Sequence, residues 1–120
     1  MHARLAALVR PHDGHHQLVH GDLAGNVLFG GGPPAVLDLS PYWRPVGYAV
    51  GITVADGLLF HRAGADLLDR AAPDTDPALV ARAALFRLHV LNQGVRATRR
   101  RAVPSDLAAY EHAADILERA

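Results

Sequence analysis

The residues most able to do chemistry lie in His20-Gly21-Asp22-Leu23-Ala24-Gly25-Asn26 and, a dozen positions later, in Asp38-Leu39-Ser40. Between them stand two short apolar runs, Asn26 to Phe29 and Ala35 to Leu39, separated by Gly30-Gly31-Gly32-Pro33-Pro34. Apolar runs flanking a Gly/Pro turn read as a β-hairpin. Folded that way, Asp22 and Asn26 share one tight loop, and Asp38 ends the strand that returns past it. Two carboxylates and a carboxamide oxygen then gather at one end of a hairpin. Hard oxygen donors of this kind suit Mg²⁺, which keeps several waters and shares the phosphate oxygens of a substrate.

Asp56 is a second residue of interest. It lies in Val46 to His61, a run that is apolar almost all round, and a buried carboxylate without donors is very costly. It must either find donors or face solvent at the helix's one polar position. His12, His15, His16 and His20 form a cluster, but a zinc site needs convergent imidazoles with their own outer-shell partners. With Gly14 among the first three, a solvated loop is the simpler reading, and a nickel or zinc tract rests on composition alone. Tyr42 and Trp43 follow the second chemical segment closely, where a substrate or a covering segment would pack; they serve equally well as core filler.

The strings HGDLAGNVLF and DLSPYWRP, with Val36-Leu37-Asp38-Leu39-Ser40 ending the hairpin, resemble the aminoglycoside phosphotransferase and choline-kinase group, small-molecule kinases related in fold to protein kinases. The resemblance is close over about residues 18–45 and extends to a compatible order of helices beyond. It implies ATP and Mg²⁺ as cofactors and a small-molecule hydroxyl as acceptor. By the same resemblance Asp22 is the base that accepts the hydroxyl proton, Asn26 and Asp38 hold the metal, and His20 buttresses the loop. Asp56 corresponds to an aspartate on a central helix that braces such a loop by accepting its backbone N–H groups. Two departures are visible. The kinase loop spaces its Asn five residues after the Asp, whereas Asn26 stands four after Asp22, with Gly25 available to tighten the backbone. Only 19 residues precede His20, no Gly-rich loop is among them, and the chain contains no lysine. The expectation is therefore a C-terminal lobe alone, inactive by itself or completed by an N-terminal lobe from elsewhere. A non-catalytic scaffold that associates with a partner or itself through the uncovered surface is the alternative from another class. A metal-dependent hydrolase using Asp22, Asp38 and the histidines is a third.

The elements that must hold these residues are mostly helices. Residues 3–10 have helix-forming composition and meet Pro11. Leu18 and Val19 enter the loop, and Ser40 to Pro45 reads as irregular because of its two prolines. Val46 to His61 reads as a buried helix whose Gly47, Gly51 and Gly57 each cost about 1 kcal/mol of propensity, so close packing must offset them. Ala65 to Ala71 forms a short helix before Pro73. Asp76-Pro77 is a helix start, leading to a helix from about Ala78 to Thr98 with Leu79, Ala83, Phe86 and Val90 on one face. Ser105 is expected to cap a last helix to Arg119, with Leu107, Tyr110, Ala114 and Leu117 inward. The whole reads as one domain over residues 1–120. Its class is α+β and mainly α-helical, with a catalytic loop and metal hairpin over 18–40 and a helical part over 45–119.

Composition narrows the function. The chain has 120 residues, half of them hydrophobic, and twelve arginines balance twelve acids. A neutral chain lacks the electrostatic footprint of a nucleic-acid binder; the Arg96 and Arg99-Arg100-Arg101 group reads as a solvated helix end. There is no cysteine, which excludes disulfides and thiolate metal sites and fits a reducing compartment. The longest apolar run is shorter than the roughly 20 residues a bilayer needs, and no secretory h-region is present. A soluble cytoplasmic protein with no membrane partner is expected.

Overall fold

Pairing between distant segments, rather than local propensity, organises the first third of the chain in the computed structural model, which describes residues 1–71 and 75–120. Strand β1 (His16–His20) runs antiparallel to β4 (Pro41–Pro45), with Val19 opposite Tyr42 and Leu18 opposite Trp43. The short strands β2 (Val27–Leu28) and β3 (Ala35–Val36) form the expected hairpin. The chain thus doubles back as one long ribbon. Gly21 N donates to Ser40 O (2.8 Å) at one side of an interruption, and Leu37 N donates to Asn26 O (2.8 Å) at the other.

Ser40 is irregular as expected, but Pro41–Pro45 form a strand, contrary to the expectation from the two prolines. Pro41 and Pro45 lack N–H donors, but they stand at the two ends of a strand that has a partner on one side only, where a missing donor breaks little of the ladder. Leu18 and Val19 likewise belong to a strand. Its alternation is clear: Val19 is buried while Leu18 and Trp43, on the opposite face, are exposed.

The helical part is built from α1 (His2–Leu8), α2 (Val46–Phe60), α3 (Asp66–Ala71), α4 (Pro77–Thr98) and α5 (Pro104–Arg119). The result is an α+β domain, mainly helical, with two small antiparallel sheets. Leu5, Val54, Leu58, Val80, Ala84, Leu88, Ala114 and Leu117 form its core. The glycines of α2 mark its close approaches. A Cβ on Gly51 would lie 2.8 Å from the backbone oxygen of Leu79, and one on Gly47 or Gly57 would lie 2.6 Å from Leu79 Cδ1 or Leu67 Cδ2. Helix α4 therefore crosses α2 at backbone distance, which alanine would prevent.

Asp76 caps α4 as expected, its Oδ1 accepting from Ala78 N at 2.8 Å. The face of α4 differs from expectation. Leu79 and Ala83 are buried, but Phe86 and Val90 are 45% and 47% exposed, and Val80, Ala84 and Leu88 carry the core stripe instead. Helix α5 begins at Pro104 rather than after Ser105, and Asp106 satisfies its start by accepting from Val103 N at 2.8 Å. Tyr110, Ala114 and Leu117 are buried and Leu107 partly so. Pro73 lies outside the described residues. No helix among the described residues is long and apolar enough to cross a membrane.

Candidate functional site

The interruption in the ribbon collects the chemical residues. On one arm the chain leaves the ladder after Gly21 and rejoins it at Asn26. Asn26 N donates to Leu23 O (2.9 Å), closing a four-residue turn whose third residue, Gly25, has φ of +80°. That φ is one a side chain would resist, and the turn is how a four-residue spacing from Asp22 to Asn26 closes. On the facing arm Asp38 has φ of +44°, so the backbone departs from the strand path there too.

His20 ties the two arms together. Its Nδ1 accepts from Asp22 N (3.0 Å), and its Nε2 donates to Leu37 O (3.1 Å). A carbonyl can only accept and an amide N–H can only donate, so these partners fix the tautomer with hydrogen on Nε2. One half-buried ring thereby sets the start of the loop and the residue preceding Asp38. Asn26 Nδ2 donates to Asp22 O (2.7 Å), which orients the carboxamide and leaves its oxygen as an open acceptor. The Asp38 carboxylate is exposed and engages no protein donor among the described residues.

Asp22 is held from the helical side by a residue that sequence reasoning missed. Arg87, on α4, donates to Asp56 through Nε (2.8 Å to Oδ1) and Nη2 (2.7 Å to Oδ2), and the same Nη2 reaches Asp22 Oδ1 at 3.1 Å. Asp56 is 3% exposed. Its carboxylate, first through these hydrogen bonds and then through its charge, holds the Arg87 guanidinium above the ordinary arginine range, against the opposing effect of burial. The expected brace is corrected in its manner: Asp56 reaches the loop through Arg87 and the Asp22 carboxylate, not by accepting loop N–H groups. The geometry dictates this, because Asp56 on α2 faces α4 and Arg87 stands between it and the loop. A signal existed. A buried carboxylate requires a cation, and Arg82 and Arg87 are the basic residues within the apolar part of α4.

Asp22 Oδ1 is thus occupied while Oδ2 has no protein partner among the described residues, and the side chain is half exposed. It borders an open cavity of about 360 Å³ walled by Asp22, Arg87, Phe60, Val90, Leu91 and Tyr110. The donor set of Asn26 and Asp38 fits a hard cation that brings its own waters and phosphate oxygens. It does not fit zinc, and among the described residues no three His, Cys, Asp or Glu side chains converge on a metal position. The histidine cluster disperses. His12 packs edge-on against Tyr48 (centroids 6.3 Å apart), with Nδ1 3.9 Å from Asp76. His15 and His16 are exposed, and only His20 joins the loop. Tyr42 packs over Gly21, where a Cβ would lie 2.4 Å from the tyrosine ring, and Trp43 points to the opposite face. Comparisons with protein-family models, with curated proteins and with solved structures found no match to this chain.

Proposed function

We propose that the chain is the C-terminal lobe of a small-molecule kinase of the aminoglycoside phosphotransferase and choline-kinase type, transferring the γ-phosphoryl of ATP to a hydroxyl. The observation that carries this reading is the interrupted ribbon, where His20 registers Asp22 and Asn26 on one arm against Asp38 on the other. Phosphoryl transfer requires positioning and charge stabilisation and no covalent intermediate on the protein, so a rigid frame for three oxygen donors is the main structural demand. Asp22 is the base: Oδ1 stays on Arg87, and Oδ2 accepts the proton of an acceptor hydroxyl entering from the adjoining cavity. Asn26 Oδ1 and the Asp38 carboxylate would hold Mg²⁺, which would supply charge neutralisation at the nucleotide phosphates. His20 and Arg87 are positioning residues. A phosphate-pairing lysine is not among the 120 residues and would come from a segment covering the ribbon.

The test is calorimetric titration of the chain with ATP, with and without Mg²⁺. Saturable binding that needs Mg²⁺ and disappears in Asp38→Ala is expected. Binding that does not need Mg²⁺, or an Asp38→Ala variant that binds unchanged, overturns the assignment.

A second reading has its own observation. Leu18, Leu28, Phe29, Val36, Leu39 and Trp43 are all more than half exposed along the ribbon, an apolar surface suited to a non-catalytic interaction module. Asp38→Ala separates the two readings: a scaffold keeps its association, whereas the kinase lobe loses metal and nucleotide.

A further inference from the structure

A separate cavity lies on the other side of Gly21, between the ribbon and the first turns of α4. It is smaller, about 190 Å³, and its walls include Val19, Ile52, Leu79, Ala83 and Phe86. Two arginines also line it. Arg82 rises from α4, and Arg44 lies on β4 two residues from Tyr42 and so on the same face of the strand. Among the described residues no carboxylate lines the cavity and neither guanidinium has an acidic partner.

Arg82 is incompletely satisfied. Its guanidinium stacks over the Tyr48 ring at 5.5 Å and Nη2 donates to Arg10 O at 3.2 Å, yet Nε is buried with no hydrogen-bond partner among the described residues. Burying a charged donor without an acceptor is unfavourable, and Arg82 contrasts with Arg87, five residues on, whose guanidinium meets two carboxylates. An apolar cavity whose charged members are both cationic is complementary to an anion with an apolar body. Its volume sets the size of that body, since an apolar cavity of about 150 Å³ admits a benzene ring.

We infer that this cavity is a binding site for a small monocyclic organic anion, the ring against Val19, Ile52 and Phe86 and the phosphate or carboxylate between Arg44 and Arg82. The site stands apart from Asn26 and Asp38, and its occupancy needs neither Mg²⁺ nor phosphoryl transfer.

The probe is phenyl phosphate, titrated calorimetrically into the full chain in EDTA, with benzyl alcohol as the uncharged ring and inorganic phosphate as the ringless anion. Saturable binding of phenyl phosphate is expected, at least about tenfold tighter than either half-ligand, since a hydrogen bond to a charged group contributes on that scale. Affinity should fall with added salt. Arg82→Met should weaken it by about tenfold or more. Arg44→Gln, an exposed substitution that leaves the fold intact, should weaken it severalfold and decides the matter if Arg82→Met fails to fold. Absence of saturable binding, equal affinity for benzyl alcohol, or an Arg44→Gln variant that binds as tightly as the parent would each overturn the inference.

Discussion

Replacing Arg87 by methionine keeps an unbranched apolar stem and removes the guanidinium that Asp56 and Asp22 share. Asp56 has a side chain only 4% exposed and would lose both charge-assisted hydrogen bonds, of 2.8 and 2.7 Å. Breaking a buried pair by deleting one partner costs about 3–5 kcal/mol, because the remaining charge is stranded. The contact with half-exposed Asp22 adds about 0–1 kcal/mol at most. A domain of this size has a total stability of about 5–15 kcal/mol, so Arg87→Met removes a large part of it. The assay is urea unfolding followed by far-UV circular dichroism at neutral pH, comparing midpoints at a common slope. Asp22→Asn should cost less than about 1 kcal/mol. The double variant Asp56→Leu/Arg87→Met should recover most of the loss, since a buried ion pair exchanged for apolar side chains is often close to neutral. The coupling between positions 56 and 87 is then large. An Arg87→Met loss below about 1 kcal/mol, or a double variant no better than the single one, would refute the reasoning.

Four further substitutions probe the helix packing, a helix cap and a surface ion pair. Gly51→Ala should destabilise by about 1–3 kcal/mol despite alanine's better helix propensity, because its Cβ would meet the Leu79 carbonyl at 2.8 Å; Gly94→Ala, on the open side of α4 with nothing within 4 Å, should stabilise by about 0.5–1 kcal/mol. Both are read by urea unfolding. Asp76→Ala should cost about 1 kcal/mol through loss of the cap to Ala78 N, measured as a lower thermal midpoint. Arg4 bonds Asp115 and Glu118, and those hydrogen bonds hold both carboxyls below their ordinary range. The unfolded chain therefore binds more protons in acid, so this contribution is present above the unfolded carboxyl values of about 4 and is lost as pH falls below them. Arg4→Gln should flatten the acid limb of a stability–pH curve below about pH 4, and an unchanged limb contradicts the pairing.

The helices were legible because their signals are local. Asp76-Pro77 begins α4, and the continuous apolar run of Val46 to His61 gives α2, whose glycines became intelligible once Leu79 was seen against Gly51. The β2–β3 hairpin was legible for the same reason, its strands being separated only by a Gly/Pro turn. The β1–β4 ladder was not. Its register joins His16 to Pro45 across the whole hairpin, and the prolines that seemed to forbid a strand merely bound it. On α4 the choice between neighbouring stripes depends on which neighbours arrive. The ribbon and α2 leave Phe86 and Val90 half exposed, which periodicity alone could not decide. At the candidate site, the residue types and their grouping were readable from HGDLAGN and Asp38. Arg87 escaped because its importance comes from two carboxylates, 31 and 65 residues away in sequence, that only the fold brings together.

In the proposed function Asn26 and Asp38 form a cation and phosphate site at the break in the ribbon. Paramagnetic broadening of the ¹⁵N-labelled chain by Mn²⁺ with ATP tests it most directly, since Mn²⁺ takes the same oxygen donors as Mg²⁺. Broadening should centre on residues 22–26 and 37–39, leave Asp106 and the far end of α5 unaffected, and disappear in Asp38→Ala. Broadening centred on His12, His15 and His16, or none at all at saturating nucleotide, would contradict it.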